Sequence, residues 1–308
     1  MNTLNDAQKK NLPPSIRVSP RHLGQMCRPD FCPCCYWYSI ALGFRFPWES
    51  PMPGIMHNMD RFEKSLVDAY FSTKHSLPKW LGPLGCTEPV EFPVKMTKDF
   101  PKYGLTLVGM PDAVFRKEDD TLCVVDFKTA KCKGDSDPYM PNYIAQLWGY
   151  VELLEDHQIG SVSSAALVYF QNDLAEYATK PLELLTSDGL EVPFTVKFHD
   201  VEIDRKALHP LLKAFRGYAD LSTPPEAKPD CKTCQRLQLL FEIEQRLRGA
   251  ESAIKNLEHH DSATLQSLIR RWESDRHSAR VRESHGWESY LTDDLSDHAD
   301  CVAGALDM

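Results

Sequence analysis

The 308-residue sequence predicts an α/β fold, a central mixed sheet flanked by helices, with a helical extension at the C-terminal end. Three patterns carry that prediction. Between Gly109 and Lys128 two apolar, β-branched runs meet at the charged turn Arg116 to Thr121, which reads as a hairpin of strands. Helical spacing precedes the hairpin from Gly54 and returns after it from Tyr143, and Ser164 to Phe170 is then a continuous apolar run of the buried-strand type. Past residue 235, Leu239, Leu240, Ile243 and Leu247 fall on one helical stripe.

Taken in order, residues 1–18 are polar, contain Pro13-Pro14 and read as a flexible lead-in. A cysteine-rich stretch and a Pro-rich loop (Pro47, Pro51, Pro53) lead to the first long helix, where Met59, Phe62, Leu66 and Ala69 are expected to face inward. Pro78 to Gly85 reads as loop. Glu88 to Met96, Leu105 to Phe115 and Leu122 to Lys128 read as three strands. A polar loop, Lys131 to Pro141, ends at Asn142, where the second helix starts, and Phe194 to Ile203 is a further alternating strand. A helix to about Leu221 and the Pro224-Pro225 linker follow, then a helix from Gln235 to about His259. A last helix around Ser262 to Arg282 carries Arg270, Arg271, Arg276, Arg280 and Arg282, read as a solvated face in preference to a DNA contact. The domains so drawn are 1–18, a core over 19–234, a helical extension over 235–285 and an acidic tail over 286–308.

Composition narrows the class. Hydrophobic content of 42% and 26% charged residues fit a soluble globule, no apolar run is long enough to span a membrane, and the N-terminus has no signal-peptide stretch, so a cytoplasmic location is expected. The net charge of −9 fits poorly with a polyanionic ligand. Six of the acids, however, lie between Trp287 and Met308, where there is no Lys or Arg, whereas Lys128, Lys131 and Lys133 make one local stretch basic. No Walker-type phosphate loop and no Gly-x-Ser-x-Gly occur, so translocation would come from a partner. The zinc-deaminase pattern of His-x-Glu followed by Pro-Cys-x-x-Cys is missing too.

Two groups of residues carry chemistry. Asp112 follows Gly109-Met-Pro, while Asp126 and Lys128 lie two apart on a strand and therefore point to one face. Two carboxylates and an ammonium at one spot suit phosphodiester hydrolysis, with Mg²⁺ as the natural ion for oxygen ligands. Gln146 and Tyr150, four apart on the following helix, share a face. The second group is thiol. Cys27, Cys32, Cys34 and Cys35 fall within nine residues, and Cys231-Lys-Thr-Cys234 supplies a second Cys-x-x-Cys to match Cys32 and Cys35. Ten cysteines without a secretory signal point to metal ligation rather than disulfides, and four thiolates around Zn²⁺ is one reading. The isolated Cys86, Cys123, Cys132 and Cys301 read as free thiols.

Gly-x-x-Asp, a hairpin, Asp-x-Lys and then Gln146-x-x-x-Tyr150 resemble the PD-(D/E)XK nuclease superfamily, specifically its RecB-like branch with the CRISPR-associated exonucleases, over about Ser19 to Cys234. The resemblance implies a restriction-endonuclease-like core and a Mg²⁺- or Mn²⁺-dependent deoxyribonuclease. Asp112, Asp126 and the main-chain carbonyl of Phe127 would hold the ion, and Lys128 would position water. His57, in Gly54-x-x-His57, is similar to a metal-ligating histidine of the branch, with Glu63 a competing ligand. Gln146 and Tyr150 would contact the nucleic acid or support the catalytic groups. It further implies single-stranded DNA ends as substrate and a helicase or recombination partner. Several members carry an iron-sulfur cluster on one cysteine before the core and three after it. Cys32-Pro33 followed by Tyr36-Trp37-Tyr38 is similar to the first element, but only Cys231 and Cys234 follow, so iron-sulfur and zinc both stand, with Cys27 and Cys34 as substitute ligands. A nucleic-acid-binding or scaffolding module that keeps the fold without turnover is the competing class.

Overall fold

A computed structural model of the chain describes residues 15–44, 53–172, 174–257, 267, 270 and 271. The chain divides into two compact units, residues 1–234 and 235–308. In the first, the described elements are β1 (Ile16–Val18), α1 (Pro20–Gly24), α2 (Pro33–Ala41), α3 (Gly54–Lys74), β2 (Cys86–Pro89), β3 (Met96–Phe100), β4 (Leu105–Gly109), β5 (Ala113–Lys117), β6 (Leu122–Lys128), α4 (Met140–Asp156), β7 (Val162–Asn172), β8 (Phe194–Val201) and α5 (Leu208–Ala219). Helix α6 (Lys232–Leu257) begins at the end of the first unit and runs into the second. No helix among the described residues is long and apolar enough to cross a membrane.

The expected mixed α/β architecture is present as two sheets. One has the order β2-β5-β6-β7-β8, with β6 and β7 parallel and the other neighbours antiparallel. The other has the order β1-β4-β3, with β1 parallel to β4. Parallel neighbours need a crossover, and α4 supplies it between β6 and β7. Strand β6 is covered on both faces, which is why it reads as an unbroken apolar run rather than an alternating one. Leu122 and Val124 pack with Leu147 and Leu153 of α4, while Cys123, Val125 and Phe127 pack with Val67 of α3 and with Leu81. The period of two therefore sends Asp126 and Lys128 toward α4 as well.

Several expectations change in detail. The run Leu105–Phe115 is two strands in different sheets, broken at Met110-Pro111-Asp112. Pro111 cannot donate to a ladder, and the chain leaves one sheet for the other there. Glu88–Met96 is likewise interrupted between β2 and β3. The segment Lys79–Leu84 is a 3₁₀ turn that buries Leu81 and Leu84, not an open loop. Ile16–Val18, inside the expected lead-in, pairs with β4. On α3 the inward residues are Glu63 and Val67, whereas Phe62 is 56% exposed and Ala69 is exposed. The earlier part of the lead-in, the acidic tail and most of the Ser262–Arg282 segment lie outside the described residues.

Helix α1 is capped by the Ser19 hydroxyl, which accepts from the His22 N–H at 3.2 Å. The His22 ring stacks on Phe44 with 3.6 Å between centroids. Burial, with a smaller push from Arg21, lowers the His22 pKa from 6.5 to about 4. In that window the unfolded chain binds the proton and the folded one does not, so the stability present above about pH 6.5 is lost as pH falls toward about 4. Denaturant melts of wild type and His22→Phe across this range are expected to differ in slope, the variant losing less stability on acidification.

Candidate active site

The site forms where β4 gives way to β5 and β6 ends. Ala113 pairs with Val125, so the next step of the antiparallel register sets Asp112 opposite Asp126. The ladder has no further main-chain acceptor there, and Asp112 Oδ2 takes the Phe127 N–H at 2.9 Å in its place. Asp126 is only 2% exposed. Gln146 Nε2 donates to Asp126 Oδ1 at 3.1 Å and to the Tyr150 hydroxyl oxygen at 2.9 Å, so one turn of α4 holds the carboxylate in orientation. The other oxygen, Oδ2, is paired with the Lys128 ammonium. Lys128 Nζ also stands 4.6 Å from the centre of the Tyr143 ring, a cation–π contact.

Burial pushes the Asp126 pKa up from 3.8 to about 6, Lys128 opposing and Asp112 adding to the rise. Helix α3 brings a third set of groups. Glu63 is buried and accepts from the Thr129 hydroxyl at 2.8 Å. Burial raises its pKa, with Asp60 and Asp112 adding to the rise. Lys64 bridges Asp60, at 2.9 Å, and Asp112 Oδ1, at 3.0 Å. Burial opposes the Lys64 charge, but the two aspartates outweigh it and hold its pKa above the ordinary lysine range.

Asp112, Asp126, Lys128, Gln146 and Tyr150 are thus brought together. His57 is not: it lies exposed in the first turn of α3, and its side chain makes no hydrogen bond or ion pair among the described residues. Asp60, Lys64, Tyr143 and Thr129 are contacts that the sequence analysis did not single out. Asp60, Glu63, Lys64 and Val67 share one α3 stripe, a spacing that could have signalled them. The donor set fits a hard cation. Asp126, Asp112 and Glu63 offer carboxylate oxygens, and the Lys128 and Lys64 ammoniums already supply positive charge to the two aspartates.

The thiols gather separately. The sulfurs of Cys32, Cys35, Cys231 and Cys234 all lie within 4.8 Å of one another. The Lys228 N–H donates to Cys32 Sγ at 3.3 Å. The Cys32 thiol is lowered to about 7: burial works against it, while the Cys35 and Lys228 main-chain donors favour the thiolate. Burial, together with the neighbouring thiols, pushes Cys35 up to about 12. Four thiolates at this spacing repel unless a cation sits among them. Cys34 is half-buried beside Cys234, and Cys27 is half-buried outside the group of four.

Paired acids and a lysine at the ends of adjoining segments of a mixed sheet, with a glutamine on the crossover helix behind them, are set in a restriction-endonuclease-like fold. The family model of the PD-(D/E)XK nuclease superfamily matches residues 57–239, more than half of the chain, and the chain belongs to that superfamily. No curated protein matches the sequence. Among solved structures, one titled "Crystal structure of SSO0001" aligns at 12% identity with a TM-score of 0.38, covering 71% of this chain and 83% of that one.

Proposed function

We propose that the chain is a metal-dependent deoxyribonuclease of the RecB-like branch, hydrolysing DNA phosphodiester bonds as an exonuclease at single-stranded ends. One observation carries the hydrolytic reading: the buried Asp126 carboxylate faces Asp112 and has the Lys128 ammonium paired to it. Two carboxylates brought together at a buried position are costly unless a cation offsets their charge. Mg²⁺ or Mn²⁺, when bound, supplies positive charge to the phosphate and acidifies a water. Asp112, Asp126 and the Phe127 carbonyl would hold the ion. Lys128 orients the attacking water through its N–H groups. Gln146 fixes the Asp126 carboxylate, and Tyr150 fixes Gln146. The preference for single strands and a helicase or recombination partner rest on the resemblance in sequence.

Purified protein incubated with end-labelled single- and double-stranded DNA in Mn²⁺, Mg²⁺ or EDTA tests the reading. Metal-dependent shortening of the single strand from one end is expected. Binding without cleavage under every condition leaves the scaffolding class in its place. On α3 we assign Glu63, rather than the exposed His57, to the cation's surroundings. Glu63→Gln is expected to weaken Mn²⁺ binding about tenfold or more, the loss typical of a group that supports a metal site. His57→Ala should leave the affinity unchanged, as read by Mn²⁺ titration in an electron paramagnetic resonance tube.

A further inference from the structure

The spacing of the four sulfurs discriminates between the two kinds of thiolate centre. Cys35 Sγ lies 3.3 Å from Cys234 Sγ and 3.4 Å from Cys231 Sγ, and Cys32 Sγ lies 3.6 Å from Cys234 Sγ. No separation within the group exceeds 4.8 Å. One ion bound by four thiolates at about 2.3 Å sets them at the corners of a tetrahedron with edges of about 3.8 Å. In a four-iron cluster each thiolate bonds a different iron and the sulfurs point away from the cube, so they stand apart by more than a shared ion allows. In a two-iron cluster two close pairs face each other across the irons. Here the contact from Cys35 to Cys234 joins what would otherwise be two separate pairs, Cys32 with Cys234 and Cys35 with Cys231, as a single shared ion requires.

The surroundings suit such an ion. Cys32 is the N-cap of α2 and Cys35 lies in its first turn, while Cys231 and Cys234 sit in the same way at the start of α6. Two helix N-termini therefore face the thiolates with the positive ends of their dipoles. The Lys228 N–H on Cys32 Sγ is the kind of outer hydrogen bond that orients a thiolate ligand. The centre joins residues about 200 positions apart in sequence, 32 to 234 and 35 to 231, and so closes the first unit at both ends.

We propose that Cys32, Cys35, Cys231 and Cys234 hold a single Zn²⁺ ion as a closed, redox-inert staple, and that the chain carries no iron-sulfur cluster there. Cys34 is a neighbour of the centre and not a ligand. This inference is independent of the nuclease reading, because metal content and cleavage are measured separately.

The test is the full chain expressed with both iron and zinc supplied and purified without oxygen, followed by elemental analysis, acid-labile sulfide and visible absorption. One zinc per chain, no sulfide and no visible colour are expected. Iron with sulfide, or a lone iron in place of zinc, overturns the proposal. Cys231→Ser is expected to lose the zinc and Cys34→Ser to keep it; loss from Cys34→Ser counts against the assignment. Should Cys231→Ser fail to fold, cobalt exchanged into the wild-type chain decides the ligand set. Visible bands of intensity typical of four sulfur ligands support the proposal, and the spectrum of an oxygen- or nitrogen-rich site overturns it.

Discussion

Asp126→Asn is expected to reduce cleavage by a factor on the order of 10³, the scale lost when a positioned electrostatic group is removed from a reacting centre, while raising the stability of the metal-free protein. The two signs follow from one environment. Asp126 is buried and carries its charge opposite Asp112, and burial raises its pKa. Asparagine keeps the oxygen that Gln146 holds at 3.1 Å and discards the charge. The pH dependence separates this account from simple damage. Because the folded pKa of about 6 lies above the ordinary 3.8, the folded state binds the proton more tightly, and the associated stability is present below about pH 3.8 and lost as pH rises through about 6. That loss should vanish in Asp126→Asn. Lys128→Met should lower cleavage by about 10² to 10⁴, the range of a positioned proton-handling group, but with the opposite effect on stability, since Asp126 then loses its counter-ion. Initial rates on labelled single strands and denaturant melts in EDTA measure both. A variant that lost activity and stability together at Asp126 would point to a structural carboxylate.

How far the sequence reveals this arrangement depends on the range of the interaction involved. Asp126 and Lys128 share a face by strand periodicity alone, and Gln146 and Tyr150 share one by helical periodicity, so those four are legible without coordinates. Asp112 is legible as a residue but not as a corner. Pro111 signals a break inside the run from Leu105 to Phe115, but nothing in the sequence says that the strands on either side of it lie in different sheets. The orientation of α3 is illegible for a different reason. Its inward stripe holds Asp60, Glu63 and Lys64, which look like a solvated face until Thr129 and Asp112 are brought against them. Apolar Phe62, the natural choice for the core, is left 56% exposed. The thiols show the same division. Two Cys-x-x-Cys segments match as one ligand set in the sequence, whereas the choice of Cys32 and Cys35 over Cys27 and Cys34 rests on the geometry.

The largest stability effect is expected at Gly149→Val. Helix α4 carries Gln146 and Tyr150 and is pinned against α1 by two glycines. A Cβ at Gly149 would stand 2.6 Å from Pro20 Cβ and 2.7 Å from its Cγ, and a Cβ at Gly24 would stand 2.5 Å from the Asn142 carbonyl oxygen. Neither neighbour yields cheaply. Pro20 is a buried ring at the first position of α1, and the Asn142 carbonyl is main chain of α4. A valine at 149 must therefore push the two helices apart, at about 3 kcal/mol, the upper end of ordinary overpacking. The displacement reaches the chemistry because Gln146 lies one turn before Gly149, and its single amide bridges Asp126 and Tyr150. A shift of about 1 Å in a positioning group is enough to cost about 10² in rate. Gly149→Val is thus expected to lower the melting temperature and to slow cleavage at saturating metal. Gly149→Ala, with a smaller side chain against the same ring, should fall between it and wild type on both measures. Gly217, whose Cβ would meet nothing within 4 Å, supplies the control: Gly217→Ala should change neither. Near-wild-type stability in Gly149→Val would mean that the α1–α4 contact does not hold the helix in place, and the link from that contact to Gln146 would fail with it.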